Sequence, residues 1–146
     1  MNIRNDELIS ALARTYLRMY RCVNKAMTGQ GASMARTKVL MLVRNLKGNA
    51  RAADIAEIFD QSPRTITEIL DGLERDGLVE RRSDPEDRRV KRLHITEAGL
   101  LAIEATEPLR QSIINQICAE LDDGERAALQ SAFAKMTAAL EGPLDC

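Results

Sequence analysis

Six basic residues fall within residues 81–92: Arg81, Arg82, Arg88, Arg89, Lys91 and Arg92, against three acids, Asp84, Glu86 and Asp87. Cations at this density suit a polyanion, since each can neutralise a phosphate or enter a groove of a duplex. An exposed hairpin is polar in any case, but solubility alone does not require this excess of one sign. Upstream, Ser62-Pro63-Arg64-Thr65 and Thr67-Glu68 place two kinds of hydroxyl-bearing residue, a guanidinium and a carboxylate close together. Such groups reach phosphates and base edges. Arg51 stands just before this stretch as a further phosphate candidate.

Residues suited to catalysis are few. The single histidine, His94, lies between Leu93 and Ile95 with no serine or cysteine placed to act with it, and reads as a structural residue. Cys22, Cys118 and Cys146 form no close pair, and there is no Cys/His spacing of a metal site and no Gly-rich phosphate loop. No enzyme activity, cofactor or metal is expected. Cys22 and Cys118 read as small buried hydrophobes.

Composition narrows the classes further. The chain has 146 residues, 45% hydrophobic and 29% charged, which suits one globular domain able to fold without a metal or disulfide staple. Aromatic residues are 3% and Trp is absent, which argues against a stacking platform for sugars or single-stranded bases. No stretch approaches the ~20 apolar residues of a membrane span, and the first residues lack the order of a signal peptide. A reduced, cytoplasmic setting without membrane attachment is the expectation. The net charge of −1 hides a division. Residues 1–51 carry ten basic residues and two acids, while residues 93–146 carry three and nine. The two ends either face each other or use their charge elsewhere, unless these are ordinary solvated faces.

The elements that must hold these residues follow from periodicity. Leu8, Leu12, Tyr16, Met19, Tyr20, Val23 and Met27 form an apolar stripe over about Asp6 to Met27, with Arg14, Arg18, Arg21 and Lys25 on another face. Ser33 caps a second helix, Met34 to Asn45. A short helix carries Ile55, Ala56 and Phe59; after Asp60-Gln61, a capping serine and a first-turn proline, Ser62-Pro63, open the next. That helix should bury Ile66, Ile69, Leu70 and Leu73 and present Arg64, Thr67, Glu68 and Asp71, with Thr65 at the margin. Leu78 to Arg82 and Val90 to Ile95 read as strands around a polar tip. Thr96 caps a long helix, Glu97 to about Ala119, which Pro108 should kink. Asp122 with Glu125 opens a last helix that carries Leu129, Phe133, Met136 and Leu140. The fold class expected is mainly α (α+β): a winged helix-turn-helix, in which a helix fits a major groove and a hairpin reaches the backbone or minor groove beside it.

The run Asp84-Pro85-Glu86-Asp87-Arg88-Arg89, followed by Leu93, Ile95-Thr96 and Gly99, resembles the wing signature of the MarR family of transcriptional regulators. Ala53 to Ala56, Ser62 to Leu73 and Glu74 to Arg81 resemble the same family's helix-turn-helix. The resemblance covers the whole chain in element order and residues 52–99 at motif level. It implies one MarR-type domain over residues 1–146. Within it, 34–96 form a DNA-binding lobe, while 1–28 and 97–146 form dimerisation helices. It further implies a homodimer on a palindromic operator of double-stranded DNA, and an affinity that responds to a small-molecule effector or to oxidation. Residue by residue, Ser62 and Thr65 match phosphate and base contacts, and Arg64, Thr67 and Glu68 match outward positions. Arg89 matches the wing arginine of the minor groove, with Arg88 beside it, and Asp87 matches the acid that steadies the tip. Pro63 and Glu68 depart from the family's general pattern, so the operator sequence does not carry over.

A ligand-responsive repressor is the reading that results. Two others remain: a winged-helix module that binds protein, for which an arginine-rich wing is unnecessary, and a thiol-based redox sensor on the same scaffold. Cys22 lies late in the first helix, unlike the early sensing cysteine of some relatives. No residue stands out as an effector ligand.

Overall fold

The computed structural model describes residues 2–142; Asp145 and Cys146 therefore lie outside the described residues. The elements are α1 (Asn5–Thr28), α2 (Met34–Asn45), α3 (Ala52–Ile58), α4 (Pro63–Arg75), β1 (Val79–Ser83), β2 (Lys91–Ile95), α5 (Glu97–Ile117) and α6 (Asp123–Leu140). The strands start one residue later than the sequence reading places them, and α5 ends two residues earlier and continues through Pro108.

The chain forms two compact units, residues 1–111 and 112–146. In the first, Val39, Leu40, Val43, Ala50, Ile55, Ala56, Ile66, Leu70, Leu73, Val79, Leu93 and Ile103 make one apolar core. Ile66, Leu70 and Leu73 follow helical spacing and pull the inner face of α4 onto α2 and α3, with Ile69 half-buried at its edge. The other side of α4 is thereby committed to solvent. β1 and β2 pair antiparallel, Val79 opposite Ile95 and Ser83 opposite Lys91. Leu93 N–H also donates to Ala50 O at 2.8 Å, which ties the hairpin to the segment before α3. His94 is half-buried, and its ring lies where a Cβ on Gly48 would stand; Gly48 has φ +83°, so the position favours glycine twice over.

The start of α5 is pinned to the hairpin. Thr96 Oγ1 accepts the Gly99 N–H at 3.0 Å and donates to Gly77 O at 2.6 Å, while Thr96 N–H donates to Leu78 O. Gly99 is buried there, and a Cβ on it would overlap the Leu78 carbonyl. The Gly in the motif is thus a close-approach glycine.

In the second unit, Asp122 and Glu125 form a reciprocal capping box for α6. Arg126 closes the turn before it, donating to Leu121 O at 3.0 Å and Cys118 O at 2.6 Å. No residue of α6 is buried, and Leu129, Phe133 and Leu140 are exposed. On α1, Leu8, Leu12 and Tyr16 are exposed likewise.

Candidate nucleic-acid interface

Two exposed features of the first unit, the outward face of α4 and the wing, carry the residues singled out above. Ser62 is the N-cap of α4: its Oγ accepts the Thr65 N–H at 3.1 Å and shares a 2.8 Å hydrogen bond with Thr65 Oγ1. Pro63 follows at the first helical position, where its missing N–H costs nothing. Ser62, Pro63, Arg64, Thr65, Thr67 and Glu68 are all exposed and lie together at the start of the helix. Arg64 is 89% exposed in its side chain, and its one polar contact is with Glu68, Nε to Oε1 at 3.3 Å. That pair is free to reorganise, since exposed pairs one turn apart hold weakly.

The wing is organised by a residue that sequence reasoning passed over. Asp84 is 9% exposed. Its Oδ1 accepts the N–H groups of Glu86 (2.8 Å) and Asp87 (3.2 Å), and its Oδ2 accepts Arg92 Nε at 2.6 Å. Arg92 also donates to Asn49 O at 3.3 Å, joining wing to lobe. The Arg92 hydrogen bond, followed by the two amide bonds, holds the Asp84 carboxyl below its ordinary range. The Asp-Pro step could have flagged this acid, because Asx side chains fold back on the next amides in turns. Asp87 has a narrower part, accepting the Arg89 N–H at 3.0 Å.

These contacts divide the six basic residues. Arg92 is held by Asp84, Arg82 by Glu80, and Arg81 by both Asp71 (2.8 Å) and Glu74 (3.2 Å). Lys91 Nζ donates to Ser83 Oγ at 2.7 Å. Arg88 and Arg89 remain exposed at the tip, with no side-chain partner among the described residues. Arg51 is chelated by Asp54, Nε to Oδ2 at 3.0 Å and Nη2 to Oδ1 at 3.1 Å. The guanidinium lowers the Asp54 pKa and has its own raised in return, so Arg51 offers less free charge than its position suggested.

A chain with a helix N-terminus open to solvent, an exposed polar helix face and two arginines without side-chain partners among the described residues on a braced hairpin is built as a winged helix. Residues 32–91 match the sequence profile of the MarR family. The HTH-type transcriptional repressor YetL of Bacillus subtilis is 31% identical over 121 residues, covering 82% of this chain and 72% of YetL. This chain belongs to the MarR family. The repressor MdtR of the same organism is 26% identical over 140 residues, 93% of this chain and 90% of MdtR. Among solved structures, a mutant MarR from E. coli complexed with operator DNA superposes with a TM-score of 0.79 at 22% identity, covering 93% of this chain and 99% of that one. The chain is therefore a MarR-family DNA-binding transcriptional regulator, in a family of regulators rather than enzymes.

Two features of this MarR-family chain differ from, or add to, the sequence reading. Cys22 is exposed rather than buried, because Val23 and Met27 take the inward positions of α1; Cys118 is half-buried. A pocket of about 170 Å³ opens between α1, α2, the α3–α4 turn and α4, where Tyr20, Lys38, Phe59, Thr65 and Ile69 meet. Lys38 Nζ sits 5.4 Å from the centre of the Tyr20 ring. The elements forming this pocket are far apart in sequence, so no local pattern announces it. No helix among the described residues is long and apolar enough to cross a membrane.

Proposed function

We propose that this MarR-family regulator is a repressor that binds a palindromic operator as a homodimer and releases it in response to a small-molecule effector. The observation that carries the reading is the pairing, within one unit, of a solvent-facing first turn of α4 with a wing on which Arg88 and Arg89 are the side-chain cations without partners among the described residues. Ser62, Pro63, Arg64, Thr65, Thr67 and Glu68 would enter the major groove. Arg89 would enter the minor groove, with Arg88 at phosphate, Asp87 and Asp84 fixing the tip, and Arg51 in a lesser phosphate contact. In this assignment residues 34–96 are the DNA-binding lobe, while 1–28 and 97–146 are the dimerisation helices. The repressor function of YetL and MdtR, and the operator DNA bound by the E. coli protein of the same fold, support it.

The homodimer is supported by the uncovered apolar side chains Leu8, Leu12 and Tyr16 on α1 and Leu129, Phe133 and Leu140 on α6. The effector is supported by the pocket at Tyr20 and Lys38, which borders Thr65 in the first turn of α4. Sequencing the DNA fragments retained by the purified protein tests the reading: they should share an inverted repeat with half-sites about 10 base pairs apart or a multiple of it. Light scattering should give twice the 16.2 kDa chain mass at micromolar concentration. A monomer that retains no common sequence would overturn the proposal in favour of a protein-binding winged helix.

A further inference from the structure

The helix that this reading sends toward DNA has the wrong sign for it. α4 carries Arg64 and Arg75 against Glu68, Asp71 and Glu74, one carboxylate more than its arginines. Asp71 stands one turn beyond Glu68 on the row begun by Arg64, Glu74 lies one turn beyond Asp71 and turned toward β1, and their side chains are 51% and 44% exposed. Carboxylates left bare on that face would meet phosphates at close range, and like charges juxtaposed across an interface weaken it. The wing supplies the missing cation. Arg81 on β1 reaches back over the face of α4 with one nitrogen on Asp71 Oδ1 at 2.8 Å and another on Glu74 Oε1 at 3.2 Å. At 27% exposure it is the most covered member of the trio. Its neighbour Arg82 is occupied by Glu80, so it supplies no charge to α4.

We infer that Arg81 is the internal counter-charge of α4: shared between Asp71 and Glu74, it offsets the helix's one excess carboxylate and makes the helix acceptable to a phosphate backbone, without itself touching DNA. Arg81 is thus a positioning and charge-compensating residue, and the inference rests on α4 entering a DNA groove. Ion pairs this exposed add little to folding, so the consequence falls on binding.

The test is a set of full-length variants titrated on operator and random duplexes at several salt concentrations, with melting curves alongside. Arg81→Met should bind both duplexes about tenfold more weakly at low salt, converging on wild type as salt rises, with little change in melting temperature. Arg81→Lys should keep most of the affinity, because it keeps the charge and loses only the fork. Asp71→Asn with Glu74→Gln should bind random DNA more tightly than wild type, and adding that pair to Arg81→Met should restore the lost affinity. The Asn/Gln variant carries the test alone if Arg81→Met does not fold. Should the triple variant stay as weak as Arg81→Met, Arg81 acts by direct contact with phosphate and the inference is wrong. Should Arg81→Lys be as weak as Arg81→Met, the fork geometry matters rather than the charge, and the inference is equally wrong. Should Arg81→Met bind as wild type, the inference is wrong; Arg64→Ala separates the underlying reading, because if it too binds as wild type α4 does not enter a groove, and both fall.

Discussion

Asp84 and Arg92 close the base of the wing, Oδ2 to Nε at 2.6 Å, while the other oxygen of the same carboxylate gathers the amides of Glu86 and Asp87. One side chain thus joins the outgoing strand, the tip and the returning strand. The tip arginines have a defined base to stand on, although neither side chain has a partner among the described residues.

The pH dependence of the wing follows from that carboxylate. Its native pKa is depressed, by Arg92 first and the two amides second. The network's contribution is therefore complete above the unfolded carboxylate value of about 3.9 and is lost as pH falls through the lower native value. A side-chain NMR titration should place the Asp84 midpoint below the unfolded carboxylate value of about 3.9. Asp84→Asn should loosen the Glu86 and Asp87 amides at neutral pH, read as faster hydrogen exchange. A midpoint at or above that unfolded value would contradict the geometry.

Arg89→Ala should reduce the salt dependence of DNA binding. Two wings in a dimer lose two cationic contacts, so the slope of log K against log salt should shrink by about 1.8, at about 0.9 for each phosphate no longer neutralised. The loss should be larger on operators with A·T-rich flanks, where the minor groove is narrow. Arg82→Ala, which removes a cation already held by Glu80, should change the slope far less. Equal slopes for wild type and Arg89→Ala would remove the wing from the interface.

Gly99→Ala should destabilise the fold. The added methyl meets the Leu78 carbonyl, which already accepts the Thr96 N–H and belongs to backbone that cannot swing aside. Overpacking of this kind costs about 1–3 kcal/mol, to be read by chemical denaturation. A midpoint unchanged from wild type would mean that α5 starts farther from the hairpin.

Gly72→Ala should act in the opposite direction. Gly72 lies inside α4 with nothing within 4 Å of a built Cβ, so alanine fits and removes backbone freedom from the unfolded chain. A gain of about 0.5–1 kcal/mol is expected. Arg36 Nη2 bonds the Gly72 carbonyl, 3.4 Å away, and the Asp76 carboxylate, and neither contact involves the new methyl. A loss of stability would show that α4 needs the flexibility of glycine at this point.

What was legible in the sequence is mostly what is decided within one turn of chain. Ser33 and Ser62 accept from the amide three residues on, Pro63 presets the first turn of α4, and Asp122 with Glu125 closes its own box. Each is a contact between residues two to four apart, so identity and spacing suffice. The apolar face of α4 and the polar tip of the wing are legible for the same reason, as are the exposed positions of Ser62, Arg64, Thr67, Glu68 and Arg89. The sequence by itself therefore determined the order of elements, the winged helix-turn-helix and which face of α4 meets solvent. Tertiary structure alone decided which arginines are free. Arg81 is neutralised from ten residues away, Arg92 from eight, and Arg36 meets Asp76 across forty. It decided, too, that Cys22 faces outward, that Gly99 abuts the Leu78 carbonyl and that Tyr20 and Lys38 border a pocket with Thr65. Such outcomes depend on how separate segments pack, and a side chain's type and neighbours in the chain do not say which distant group it will meet.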